Sequence, residues 1–124
     1  MPTRCSYGLI GRPLGHSFSP RYFSELFDRL GVDASYESYE LQRIEELPEL
    51  LATHPSLRGL NVTLPYKREV LHYVDACSPE VERLQAANVL CIERTPSGYP
   101  YITAHNTDVW GFYHSLLPLL SEEH

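Results

Sequence analysis

Apolar positions along this chain alternate between the spacing of a strand and that of a helix. Ser6 to Ile10 is a short apolar run ended by Gly11, Pro13 and Gly15, the profile of a buried strand. Tyr22, Phe23, Leu26, Phe27 and Leu30 follow at helical spacing, with Ser19 suited to the N-cap, Pro20 to the first helical position and Gly31 to the stop. Tyr36–Leu41 reads as a second strand. Ile44, Leu47, Leu50 and Leu51 mark a helix with Pro48 near its first turn, closed before Pro55. Leu60–Leu64 reads as a third strand halted by Pro65, and short helices are expected over Lys67–Val74 and Pro79–Leu84. Val89–Glu93 and Tyr99–Ala104 flank Thr95-Pro96-Ser97-Gly98, a hairpin turn that adds an antiparallel pair. A last helix is expected to carry Val109, Phe112, Leu116 and Leu120 on one face.

Helix and strand signals that alternate every ten to fifteen residues predict an α/β domain. The expected architecture is three-layered: a mostly parallel mixed sheet of five or six strands, flanked by helices, in one domain over residues 1–124. A chain of that length can bury a core of its own. No run approaches the ~20 apolar residues of a membrane span, and no leader resembling a signal peptide opens the sequence, so a cytoplasmic location is expected. The formal net charge is −6 with Lys and Arg scattered, which argues against a nucleic-acid partner. Cys5, Cys77 and Cys91 are odd in number and far apart; they read as buried thiols of a reducing compartment.

Four polar clusters fall at strand-to-helix junctions, where α/β sheets usually place their ligand. In Gly15-His16-Ser17-Phe18-Ser19-Pro20, two hydroxyls precede a helix start, which suits a carboxylate; Ser19 as a plain cap and Ser17 as a loop residue is the simpler account. In Leu60-Asn61-Val62-Thr63-Leu64-Pro65-Tyr66-Lys67, a strand brings Asn61 and Thr63 to its carboxyl end and Lys67 opens a helix. A positive charge there meets the unfavourable end of the helix dipole, which suits a group that must shed a proton; a solvated surface lysine is the alternative. Asn88, after Ala86-Ala87, is a ligand candidate or a turn former. Asp108, in Asn106-Thr107-Asp108, is a ligand candidate or an acidic residue in the first turn of a helix. The histidines and cysteines show no metal-binding spacing, so no metal is expected. No GxGxxG, P-loop or GxSxG motif is present, so no cofactor is expected on this chain.

Taken together, the clusters are more specific than any one of them. Tyr7-Gly8-Leu9-Ile10-Gly11 with Pro13-Leu14-Gly15-His16-Ser17-Phe18-Ser19-Pro20, Gly59 through Lys67, Ala86-Ala87-Asn88, and Asn106 through Phe112 stand in an order and spacing that closely resembles the shikimate dehydrogenase family. The resemblance implies NADP-dependent interconversion of shikimate and 3-dehydroshikimate in aromatic amino-acid biosynthesis. It implies that Ser17 and Ser19 bind the substrate carboxylate and that Thr63, Asn88 and Asp108 bind ring hydroxyls. Lys67 would be the catalytic lysine, alone or shared with Asp108 as a coupled pair. The family continues into a Rossmann-type domain that binds NADP, and the resemblance places this chain as the substrate-binding domain without it, expected to be inactive alone. A quinate/shikimate dehydrogenase and a non-catalytic shikimate-binding module are the alternatives. The family usually has Gly where Gln85 stands, a residue that would permit a special backbone conformation.

Overall fold

A computed structural model describes residues 5–14, 19–31 and 33–107. Strands β1 (Cys5–Gly11), β2 (Ala34–Glu40), β3 (Leu57–Val62), β4 (Ala76–Cys77), β5 (Val89–Arg94) and β6 (Pro100–His105) form one sheet in the order β2-β1-β3-β5-β6-β4. The β1–β2, β1–β3 and β4–β6 pairs are parallel; β3–β5 and β5–β6 are antiparallel. Helix α1 (Ser19–Leu30) connects β1 to β2, α2 (Leu47–Thr53) precedes β3, and α3 (Pro79–Leu84) precedes β5. The expected mixed, mostly parallel sheet with flanking helices is therefore present.

Strand alternation sorts the apolar residues to two faces. Ile10, Leu60, Val62, Leu90, Ile92, Ile102 and Ala104 face α2 and form the larger core with Leu47, Leu50, Leu51, Val70 and Val81. Leu9, Leu14 and Tyr36 form a smaller cluster on the other face, against Phe27 of α1 and Tyr7, whose ring lies 5.8 Å from that of Phe27. Tyr22 and Leu30 of α1 are exposed, so its apolar stripe is only partly covered.

Local chemistry explains most of the boundaries. Gly31 takes φ +70 and ends α1, as a helix stop requires. α1 opens at Ser19 itself, one residue before the expected start, a normal spread for helix ends. Ser78 caps α3, accepting from the Val81 N–H at 3.4 Å, with Pro79 at the first helical position. Gly98, at φ +87, closes the hairpin by donating to the Thr95 carbonyl at 2.7 Å. At the end of α3, Gln85 adopts φ 55 and ψ 39, the left-handed conformation for which a glycine is ordinarily required.

Several expectations are corrected. β3 begins at Leu57 and ends at Val62, because Gly59 and Arg58 conceal a strand that pairs with β1. The segment after it is a 3-10 helix over Glu69–Tyr73, and Arg68, not Lys67, stands at its N-cap, so the dipole argument does not apply to Lys67. β4, two residues long, was not anticipated. Cys91 is exposed, and Cys5 and Cys77 are only partly buried, so they are not the buried thiols expected. The helix expected after Asp108 lies outside the described residues. Among the described residues no helix is long and apolar enough to cross a membrane.

Candidate functional site

The chain leaves the carboxyl ends of β1 and β3 at adjacent positions in the sheet but in opposite directions. β1 leads outward through α1 to β2; β3 leads toward β5, β6 and β4. Such a reversal opens a crevice beyond the strand ends, the usual ligand position in α/β sheets. Because β5 is antiparallel to β3, its first residues, and the last of β6, reach the same rim: Asn61 pairs with Val89, and Val89 with His105.

Backbone hydrogen bonds fasten the rim segments to one another. The Thr63 N–H donates to the Ile10 carbonyl at 2.9 Å, and the Arg12 N–H to the Leu64 carbonyl at 3.1 Å, tying the loops after β1 and β3. The Val62 N–H donates to the Asn88 carbonyl at 2.8 Å, and the Ala87 N–H to the Lys67 carbonyl at 2.7 Å. The Asn88 N–H donates to the His105 carbonyl at 3.1 Å. Thr63, Lys67 and Asn88, separate in sequence, are thus brought to one rim, each with a partly buried side chain. Ser17 and Asp108 lie outside the described residues, as does the side chain of Ser19, although the backbone of Ser19 begins α1.

Four side chains, Asn88, Asn106, Glu40 and Tyr66, act as braces that the sequence did not reveal. The Asn88 amide nitrogen donates to Thr107 Oγ1 at 3.0 Å, while Asn88 Oδ1 accepts from the Thr107 N–H at 2.8 Å. That reciprocal pair fixes the backbone immediately before Asp108, and Asn106, buried, donates to the Ala86 carbonyl at 3.0 Å. Across the rim, Glu40 Oε1 accepts from the Leu14 N–H at 2.7 Å and fixes the backbone at Leu14. The buried Tyr66 hydroxyl donates to the Leu41 carbonyl, joining the loops after β2 and β3. Burial pushes the Tyr66 phenol above its ordinary range; the Arg12 charge opposes this shift, while Glu46, Glu69 and Glu45 add to it. The Asn61 side chain is engaged away from the other rim groups. Its amide donates to the Tyr36 hydroxyl at 2.7 Å, beside a cavity of about 360 Å³ on the α1 face.

Thr63, Asn88 and Lys67 bring a hydroxyl, an amide and an amine to this rim. That set offers several hydrogen-bonding groups to a small polar molecule. A Cβ added to Gly8 would fall 2.5 Å from the Tyr39 ring, and one added to Gly11 would fall 2.3 Å from Thr63 Cγ2. These glycines give room to neighbouring side chains. Among the described residues no group of three or more His, Cys, Asp or Glu side chains is placed to hold a metal ion.

The chain has clear relatives among known proteins. Residues 9–90 match the family described as shikimate dehydrogenase substrate binding domain. Shikimate dehydrogenase (NADP(+)) of Clostridium beijerinckii is 36% identical over 108 residues, 86% of this chain and 38% of that protein. The enzyme of the same name from Natronomonas pharaonis is 41% identical over 107 residues, 85% of this chain and 38% of that protein. Shikimate 5-dehydrogenase of Listeria monocytogenes, solved with shikimate and NAD, superposes with a TM-score of 0.78 at 32% identity, over 94% of this chain and 39% of that one. The dehydroquinate dehydratase and shikimate dehydrogenase portion of S. pombe AroM gives a TM-score of 0.85 at 30% identity, over 94% of this chain and 22% of that one. The chain thus spans about two fifths of the length of the curated relatives it matches. With the family match running through β1, β3 and the Asn88 loop that build the rim, this chain belongs to the shikimate dehydrogenase substrate binding domain family.

Proposed function

We propose that this chain is the substrate-holding part of an NADP-dependent dehydrogenase that interconverts shikimate and 3-dehydroshikimate. The observation that carries the reading is the convergence of Thr63, Lys67 and Asn88 on one rim through the Val62–Asn88 and Ala87–Lys67 backbone hydrogen bonds. The relatives' names point to the substrate, and the roles assigned below rest on the resemblance of this chain's motifs to those of the family. Ser17 and Ser19 bind the carboxylate; Thr63, Asn88 and Asp108 bind the ring hydroxyls. Oxidising a secondary alcohol needs a base for the hydroxyl proton and an acceptor for the hydride. Lys67 is the base, alone or coupled to Asp108, and takes the proton from the reacting hydroxyl. The acceptor, NADP, belongs to the portion of the relatives' length that this chain does not span. The chain itself orients the substrate and handles the proton, and alone it turns nothing over.

Shikimate titrated into the 15N-labelled chain should produce saturable shifts at the amides of Thr63, Lys67, Asn88 and Thr107. Absence of binding at about 10 mM, a concentration that would detect a Kd in the millimolar range, would overturn the reading. Quinate, run in parallel, tests the quinate/shikimate alternative: equal affinity for both ligands would favour it.

A further inference from the structure

Between the end of α3 at Leu84 and the start of β5 at Val89, the chain passes through Gln85, Ala86, Ala87 and Asn88. Ala87 is fully buried, and Asn106, just past the end of β6, is 5% exposed. An amide side chain is costly to bury unless it is hydrogen-bonded. The Asn106 amide nitrogen donates to the Ala86 carbonyl at 3.0 Å. One residue on, the Ala87 N–H donates to the Lys67 carbonyl at 2.7 Å. That carbonyl and that N–H are the two ends of one peptide group, which is planar and resists twisting. The plate is held at one end by Asn106 and holds the backbone of Lys67 at the other. It cannot turn at one end without turning at both.

The flanks of this plate are fixed by other means. Gln85 turns the chain at φ 55, and its N–H donates to the Val81 carbonyl at 2.7 Å. On the far side, the Asn88 N–H donates to the His105 carbonyl at 3.1 Å and the Asn88 carbonyl accepts from Val62 at 2.8 Å. With both flanks pinned, rotation of the Ala86–Ala87 peptide about its adjoining soft dihedrals is the motion left to the loop, and Asn106 opposes it. Lys67 stands in irregular backbone, after β3 ends at Val62 and before Glu69 opens the 3-10 helix, where tertiary bonds decide the placement of the main chain. A proton acceptor displaced by as little as about 1 Å loses much of its effect. We propose that Asn106 is a positioning residue for Lys67, acting through the Ala86–Ala87 peptide to set where the base stands against the substrate. This role rests on the assignment of Lys67 to a bound shikimate.

Asn106→Ala removes the donor, and the 15N-labelled chain reports the result. Hydrogen exchange at the Ala87 amide should speed up about tenfold beyond what the global loss of stability accounts for, the scale of one hydrogen bond. Shikimate, titrated into the same sample, should bind about tenfold more weakly. Ile92→Val, a change in the core on the α2 face, is the stability control and should bind as the parent does. In a Lys67→Met background, Asn106→Ala should weaken binding by less than about threefold more, because the group it positions is gone. If Asn106→Ala does not melt cooperatively, Asn106→Ser, which leaves room for a bridging water, takes its place in every measurement. Affinity within about twofold of the parent, Ala87 exchange that merely follows global stability, or an undiminished loss in the Lys67→Met background would each overturn the proposal. A parent chain that binds no shikimate at about 10 mM overturns the substrate assignment itself, and this role with it.

Discussion

Replacing Gly11 with Ala tests whether the end of β1 and the candidate ligand Thr63 are packed as one unit. The added Cβ would stand 2.3 Å from Thr63 Cγ2, 3.0 Å from the Leu64 carbonyl oxygen and 3.2 Å from Leu14 Cδ2. Carbon atoms in contact normally sit about 3.5–4.0 Å apart, so the threonine methyl must yield by more than about 1 Å. It cannot do so cheaply: a β-branched side chain is stiff at χ1, and backbone and Leu14 block the Cβ from moving instead. Overpacking of this kind costs about 1–3 kcal/mol, which for a domain of this size lowers Tm by roughly 3–5 °C per kcal/mol. The Thr63 hydroxyl is turned away in the process, so shikimate affinity should fall by about tenfold as one hydrogen bond is lost. Thr63→Ser removes the clashing methyl and keeps the hydroxyl. Gly11→Ala should therefore be nearly neutral in that background, with a coupling of about 1 kcal/mol or more in the double-mutant cycle. Thermal melts of the four proteins measure it. A Gly11→Ala chain that melts within about 1 °C of the parent, or whose deficit persists in the Thr63→Ser background, would refute the reasoning.

Gln85→Gly should raise stability by about 0.5 kcal/mol in urea unfolding: relief of the left-handed backbone, about 1–2 kcal/mol, outweighs glycine's extra unfolded-state freedom and the loss of the exposed Gln85–Glu82 hydrogen bond. A less stable variant would contradict the strain assigned to φ 55. Tyr66→Phe strands the buried Leu41 carbonyl and should cost about 1–2 kcal/mol at neutral pH. Because burial raises the folded-state pKa of Tyr66, its contribution is complete below the unfolded value near 10 and is lost as pH rises from there through the folded value. The parent should therefore lose Tm above about pH 10 more steeply than the Phe variant, and parallel alkaline profiles would count against it. In the enzyme completed by the portion its relatives carry, Lys67→Ala should lower kcat by about 10²–10⁴-fold with a smaller effect on KM. Turnover within about threefold of the parent would remove Lys67 from the role of base.

Where the determinants of structure are local, the sequence discloses them. α3 runs over Pro79–Leu84 as expected because Ser78, Pro79 and the first-turn Glu80 are adjacent, and the hairpin forms where Gly98 permits it. The need for an unusual backbone at Gln85 was also readable, from what the family places there. Tertiary pairing decided the rest. β3 starts three residues early because β1 supplies its partners, and β4 exists only by pairing Ala76 and Cys77 with Thr103 and Ala104. The rim residues could be named from motif order, yet their braces could not: Asn88 meets Thr107 across 19 residues, and Tyr66 meets Leu41 across 25. The Asn106-Thr107-Asp108 triplet directed attention to Asp108, whereas the residue seen clasping Asn88 is Thr107.

The β5–β6 ribbon leaves the rim at Asn88 and returns to it at Asn106, so that everything between is an out-and-back excursion. Its two ends are stitched together by the Val89–His105 pair, and its tip, Thr95 to Gly98, lies at the far end of the strands beside a cavity that Arg94 lines. Adding or deleting residues at that tip changes the excursion's length without altering where it starts and finishes. The two ends of this domain can therefore diverge independently: descendants of one ancestor can remodel the far cavity by loop grafting while the near rim keeps its register. A swap of the tip is the engineering equivalent, and it offers a place to attach new function without disturbing the chemistry opposite.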